Sequence, residues 1–229
     1  MIIYFAGVNG NTKDLYIAVK NGCKHLMLSY FQKEYYPKKQ IDRFRKLGLH
    51  LFLDSGAFSA WSKKIQIDIN DYISYIKENF IGKYIVLDII GDPEQTYWNL
   101  QYMKSKNLYP VPVYHMDDDI KYLEQLINDG YKYICLGGSA NRRRQSREEF
   151  FDMCFENHPN IYFHGLGMTD TNLMKKYNWY SVDSTTWLSG RKYNKKLLHG
   201  SRIEFPPDVT PEEKIAYNVK FLKEIEKSK

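Results

Sequence analysis

Short apolar runs rich in Val, Ile, Leu, Tyr and Phe recur along the chain, each ending at turn-forming or polar residues. They occupy residues 2–7, 25–30, 50–56, 84–89, 111–116, 133–138, 161–167 and 180–185, eight in all, about 20 to 35 residues apart. Between them the apolar positions fall into helical spacing over 12–21, 38–47, 69–80, 93–106, 118–129 and 147–156. Asp92-Pro93-Glu94 has the chemistry of a helix start, and Gly22, Gly48 and Gly130 stand where helices should stop. A last amphipathic segment, 211–227, puts Ile215, Val219, Leu222 and Ile225 on one face behind Thr210-Pro211-Glu212.

Strands that are apolar on nearly every residue must be covered on both faces, and their alternation with helices calls for a parallel sheet. Eight repeats predict an α/β fold, a (β/α)8 TIM barrel occupying 1–229 as one domain and closed by the helix at 211–227. An open doubly wound sheet is the rival, but its GxGxxG fingerprint is absent, since the first strand ends Gly7-Val8-Asn9-Gly10.

Composition adds limits. Hydrophobic residues are 43% and charged residues 26% of the chain, which excludes disordered, collagen-like and coiled-coil classes. No apolar run approaches the roughly 20 residues of a membrane span, and the first residues lack a signal peptide's pattern, so no membrane partner and a cytoplasmic location are expected. Cys23, Cys135 and Cys154 are too scattered for a disulfide framework or a zinc site, and no zinc is expected. The net charge of +6 permits a polyanionic partner without requiring one.

In a barrel the active site lies at the C-terminal ends of the strands. Those ends carry Asn9, Ser29, Asp54-Ser55-Gly56, Asp88, His115, Gly137-Gly138-Ser139, His164 and Asp183-Ser184-Thr185. Three carboxylates meeting at one mouth are costly unless paired or reactive. Each residue also has a plainer reading: Asp88 can cap a helix, Gly137-Gly138 can form a tight turn, and His115 and His164 can be structural. Around Asp54, Ser55, Gly56 and Phe58 supply small residues and an aromatic suited to a flat ligand. Two basic groups follow strands six and eight: Arg142, Arg143, Arg144 and Arg147, then Arg191, Lys192, Lys195, Lys196 and Arg202. Either they form solvated faces or they hold phosphates at the mouth.

Four strand ends resemble the tRNA-guanine transglycosylases, and more closely the compact phage and bacterial relatives that place 7-deazaguanine bases in DNA, the DpdA group. Leu53-Asp54-Ser55-Gly56-Ala57-Phe58 is similar to the family's DSGGF or DSGAF element, Val86-Leu87-Asp88 to its base-recognising strand, Leu136-Gly137-Gly138-Ser139 to its LGG loop, and Ser181-Val182-Asp183-Ser184 to the strand of its nucleophile. The resemblance implies a pentosyltransferase that exchanges guanine for a 7-deazaguanine, with a free deazapurine as co-substrate and no other cofactor. Asp183 would attack the anomeric carbon and Asp54 would be the general acid/base. Ser55, Gly56, Phe58, Asp88, His115, Gly137, Gly138 and His164 would hold the flipped base, and the basic groups would hold nucleic acid, DNA more than tRNA, with helper proteins as further partners. No cysteine follows Cys154, so the zinc subdomain of the tRNA enzymes is missing, and His115 stands where those enzymes have Gln.

Other readings remain open: a zinc-free tRNA-guanine transglycosylase, a barrel lyase or hydrolase acting on a small phosphorylated metabolite with Gly165-Leu166-Gly167 as phosphate cradle, or a binding barrel without activity.

Overall fold

The computed structural model describes residues 1–10, 12–140 and 142–228. Seven parallel strands form one curled sheet: β1 (Ile2–Phe5), β2 (His25–Ser29), β3 (His50–Asp54), β4 (Val113–His115), β5 (Tyr133–Gly137), β6 (Tyr162–Gly165) and β7 (Ser181–Ser184). Their spatial order is β3-β2-β1-β7-β6-β5-β4. The apolar segment 84–86 fills the remaining gap through two isolated parallel bridges, Leu53 with Tyr84 and Ile85 with Val111. That makes eight staves, so the (β/α)8 barrel expected from the pattern is the observed architecture, although the fourth stave is held by bridges rather than a full ladder.

Helices cover the outside: α1 (Thr12–Lys20), α2 (Lys38–Lys46), α3 (Ala57–Ser62), α4 (Ile69–Glu78), α5 (Pro93–Ser105), α6 (Ile120–Asn128), α7 (Arg144–Asn157), α8 (Thr171–Lys176), α9 (Ser189–Tyr193) and α10 (Pro211–Lys227). Their starts are written in side chains that accept from otherwise orphaned N–H groups: Asp68 for α4, Asp92 for α5, Asp119 for α6, Asp170 for α8, and a Thr210–Glu213 capping box for α10. Helix α7 begins three residues before the expected 147, because Arg144 extends it with an i,i+4 bond to Glu148 at 2.9 Å.

Helix α10 lies against β1 and α1, and the partly buried carboxylate of its Glu226 accepts from Ile3 N–H at 3.0 Å. Between β7 and α10 the chain forms an unexpected antiparallel hairpin, β8 (Lys195–Leu198) with β9 (Ser201–Glu204). Fully buried Asn218 of α10 ties the hairpin down, accepting from Leu197 N–H and donating to Lys195 O. No helix among the described residues is long and apolar enough to cross a membrane.

The barrel interior is unusually aromatic and polar. The rings of Tyr4, Phe52, Tyr133 and His164 meet edge-on or tilted within 6.5 Å of one another, where branched aliphatic side chains usually fill the layers. Above this layer lie the carboxylates of the strand ends.

Candidate active site

Asp54 and Asp88 stand at the ends of neighbouring staves, Asp183 ends β7 elsewhere in the wall, and the charges of Asp88 and Asp183 both act on Asp54. Asp54 terminates β3, and its Oδ2 accepts from Gly56 N–H at 3.1 Å. Desolvation, reinforced by the charges of Asp88 and Asp183, pushes the Asp54 carboxyl up to about 8, so at neutral pH it carries a proton. Gly56 adopts φ +76, and a Cβ there would lie 2.4 Å from Phe31 Cβ and 2.7 Å from Ser29 Oγ. The glycine therefore serves the turn from β3 into α3 and its packing on the segment after β2, not the approach of a ligand.

Asp88 is buried and fully engaged. Its Oδ1 accepts from Ser55 Oγ at 2.7 Å and its Oδ2 lies 2.9 Å from His115 Nε2. Burial works against a charged imidazole at His115, but the bond and charge of Asp88, with Asp118 and Asp117 adding, outweigh it and hold its pKa above the ordinary value. The backbone N–H of His115 donates to Asp118 at 3.1 Å, which fixes the base of the ring. Gly137 makes room for that ring, since a Cβ on it would sit 2.6 Å from His115 Nδ1. Gly138, at φ +76, forms the turn beside Met116.

Asp183 is buried under the loop after β6: its Oδ1 accepts from Gly167 N–H at 2.7 Å and lies 3.5 Å from Nε2 of His164. His164 is wholly buried, and desolvation lowers its pKa despite Asp183. It sits beneath the carboxylate rather than lining the mouth. Beside Asp88 a cavity of about 710 Å³ opens among Ala57, Trp61, Ile65, Ile67, Leu87 and Ile90. Phe58 is exposed and tilts against Trp61 at 5.9 Å.

The basic residues do not form one free cationic face. Arg191 lies 2.8 Å from Asp14 and 3.0 Å from Glu212, Lys195 bonds Glu204 across the hairpin, Arg142 pairs with Asp117, and Arg144 with Glu148. Arg202 donates to Thr169 O, Lys196 covers the Tyr217 ring, Arg143 precedes α7, and Lys192 is exposed. Arg147 differs: its guanidinium is only 15% exposed, its Nε has no hydrogen-bond partner among the described residues, and its nearest carboxylate, Asp170, is 3.8 Å away. It lies beside the loop that follows β6, near Met168.

No sequence family matches the chain, and no curated protein does. Solved structures do. The tryptophan synthase α subunit of Legionella pneumophila str. Paris superposes with a TM-score of 0.63 at 9% identity, over 100% of this chain and 93% of that one. KDPG aldolase of the same species gives 0.61 at 9% identity over 96% and 92%, and a protein of Aquifex aeolicus VF5 gives 0.60 at 14% identity over 98% and 92%. At such identities the likeness establishes the barrel and nothing finer.

These neighbours overturn the transglycosylase expectation. The barrels that superpose on this chain include tryptophan synthase α subunits and an aldolase, and no family model carries the resemblance at four strand ends. The geometry gives a physical reason. Asp88 already bonds Ser55 and His115 through its two oxygens, and the room at Gly137 is filled by His115. The assignments as pentosyltransferase, 7-deazaguanine exchange and DNA modification are withdrawn with it. Sequence reasoning found the mouth carboxylates but not the groups beneath them, Ser181, Tyr133 and Lys83. Their signal was the period of two inside each strand, which places Ser181 two residues below Asp183.

Proposed function

We propose that the protein is a TIM-barrel lyase acting on a small phosphorylated metabolite. The observation that carries this reading is the Asp54 carboxyl, pushed up to about 8 beside two other carboxyl groups at the barrel mouth. A carboxyl that keeps its proton at neutral pH can serve as a general acid where a second carboxyl group is at hand to take one. In a retro-aldol type step, Asp183 would take the proton of a substrate hydroxyl as the carbon–carbon bond breaks and a carbonyl forms. The electron pair would pass to the neighbouring carbonyl oxygen, which Asp54 protonates to give an enol. His115, bonded to Asp88 through Nε2, would hold that carboxylate in place beside Asp54. Arg147, beside the loop that follows β6, would take the phosphate. The aldolase and tryptophan synthase α neighbours support the choice of lyase over hydrolase.

The test is a panel of phosphorylated and unphosphorylated hydroxyketones followed by 31P and 1H NMR. Turnover of a phosphorylated member is expected, falling by about 10²–10⁴-fold in Asp54→Asn and Asp183→Asn. Arg147→Met should raise KM with little change in kcat. Turnover that survives Asp54→Asn, or a preference for unphosphorylated compounds, would refute the assignment.

A further inference from the structure

A line of polar side chains runs down the barrel below Asp183, hydrogen-bonded from His164 to Lys83, with buried His164 Nε2 unbonded and facing the carboxylate. His164 Nε2 lies 3.5 Å from Asp183 Oδ1, and on its other side His164 Nδ1 is 2.7 Å from Ser181 Oγ. Ser181 Oγ is 2.6 Å from Tyr133 Oη, and Lys83 Nζ donates to Tyr133 Oη at 3.2 Å and to Tyr4 Oη at 3.1 Å. Lys83 precedes the fourth stave at the N-terminal face of the barrel, half-buried and in reach of solvent. The line therefore joins the two ends of a barrel whose interior is otherwise packed.

One orientation of protons satisfies the three hydrogen bonds from Lys83 to His164. Lysine can only donate, so Tyr133 accepts from it and donates to Ser181. Ser181 then donates to His164 Nδ1, which leaves the proton on Nε2, facing Asp183. A neutral imidazole is required, and burial of His164 favours that form.

We propose that Lys83, Tyr133, Ser181 and His164 form a proton relay that connects Asp183 to solvent at the opposite end of the barrel. When a proton is called for at the mouth, His164 Nε2 releases one to Asp183 while Nδ1 receives the Ser181 proton. Ser181 takes that of Tyr133, Tyr133 takes one from the Lys83 ammonium, and the neutral amine recovers a proton from water. The reverse sequence removes a proton. The use of the relay rests on the reading of Asp183 as a base, but its existence does not.

The setting of Lys83 suits the task. Its ammonium lies over the rings of Tyr133 at 4.3 Å, Phe52 at 4.6 Å and Tyr4 at 5.2 Å, with Tyr180 at 5.9 Å. Desolvation lowers its pKa, opposed only in part by Cys135, which makes the amine easier to deprotonate. His25 of β2 and His164 of β6 both feel its positive charge, and no carboxylate acts on it strongly enough to trap the proton.

The experiment follows the ring nitrogens of His164 by 15N NMR in the whole protein, without substrate. The expected spectrum is that of a neutral imidazole protonated on Nε2. Exchange of that proton with water is measured against pH and referred to the backbone amides of β6, which report opening of the barrel. Lys83→Met and Ser181→Ala should slow ring exchange by at least about tenfold relative to those amides. Tyr133→Phe, which keeps the ring and removes the hydroxyl, should do the same if either variant folds poorly. Ring exchange unchanged in all three, or a proton found on Nδ1 instead, would overturn the relay. That outcome would leave the lyase assignment standing, because the exchange measurement involves no turnover.

Discussion

The imidazole of His115 occupies the space that a side chain on Gly137 would need, 2.6 Å from where its Cβ would lie. Two neighbouring staves thus share one position, and the pairing of His115 with Asp88 depends on the missing side chain of β5.

Gly137→Ala should therefore act on His115. The ring must shift, its 2.9 Å contact with Asp88 must lengthen, and overpacking of this kind costs about 1–3 kcal/mol. Urea denaturation would give the loss, and the 15N titration of His115 should move down toward the value of a free imidazole. A titration unmoved by the substitution would mean that the ring has another way to reach Asp88.

His115→Phe removes the donor and leaves Asp88, almost completely buried, with only Ser55 as partner. Breaking one side of a buried ion pair costs on the order of 3 kcal/mol, and His115→Gln, which keeps an N–H, should lose less. A histidine whose pKa is raised by folding stabilises fully below its unfolded value of 6.5 and loses that contribution as pH rises through the folded value. The gap between wild type and His115→Phe should accordingly be wider at pH 5.5 than at pH 9.

Asp54 acts in the same direction over a wider window. Its carboxyl holds a proton up to about pH 8 in the folded protein but only to 3.8 when unfolded. Across that window the folded state binds more protons, so stability falls as pH rises, by at most about 1.4 kcal/mol per pH unit from this group, and levels off above the folded value. Asp54→Asn should flatten the curve and be more stable than wild type at pH 9. Parallel curves for the two proteins between pH 5 and 9 would contradict the raised pKa.

Thr210 accepts from Glu213 N–H while Glu213 reaches back to Thr210 N–H at 2.8 Å. Thr210→Ala should cost about 1 kcal/mol, and a thermal melt monitored by far-UV circular dichroism would show it. A shift no larger than error would mean that α10 is held by its buried face alone.

Much of this arrangement was legible in the sequence because the barrel repeats one physical problem eight times. Apolar runs such as 50–54 and 133–137 can be buried only in a parallel sheet, and caps such as Asp92 and Thr210 announce their helices directly. Asp54, Asp88 and Asp183 were visible as charges ending apolar strands. What stayed hidden depends on neighbours far apart in the chain. Nothing local says that Arg191 turns to Asp14 and Glu212 rather than to solvent or a phosphate. The hairpin of β8 and β9 escaped because its burial comes from Asn218 and not from its own alternation. Motif likeness at Asp54, Asp88, Gly137 and Asp183 misled because it recorded the residue types without the bonds that already occupy them.

The fourth stave joins its neighbours by only two isolated bridges, so the wall of the barrel has a seam between β3 and β4. Lys83 stands just ahead of this short stretch and Asp88 just beyond it. Parting of the seam would therefore disturb the lower end of the axial line and the partner of His115 in the same movement. One short stretch of backbone thus carries at its two ends two sites that the chemistry of the barrel otherwise keeps apart.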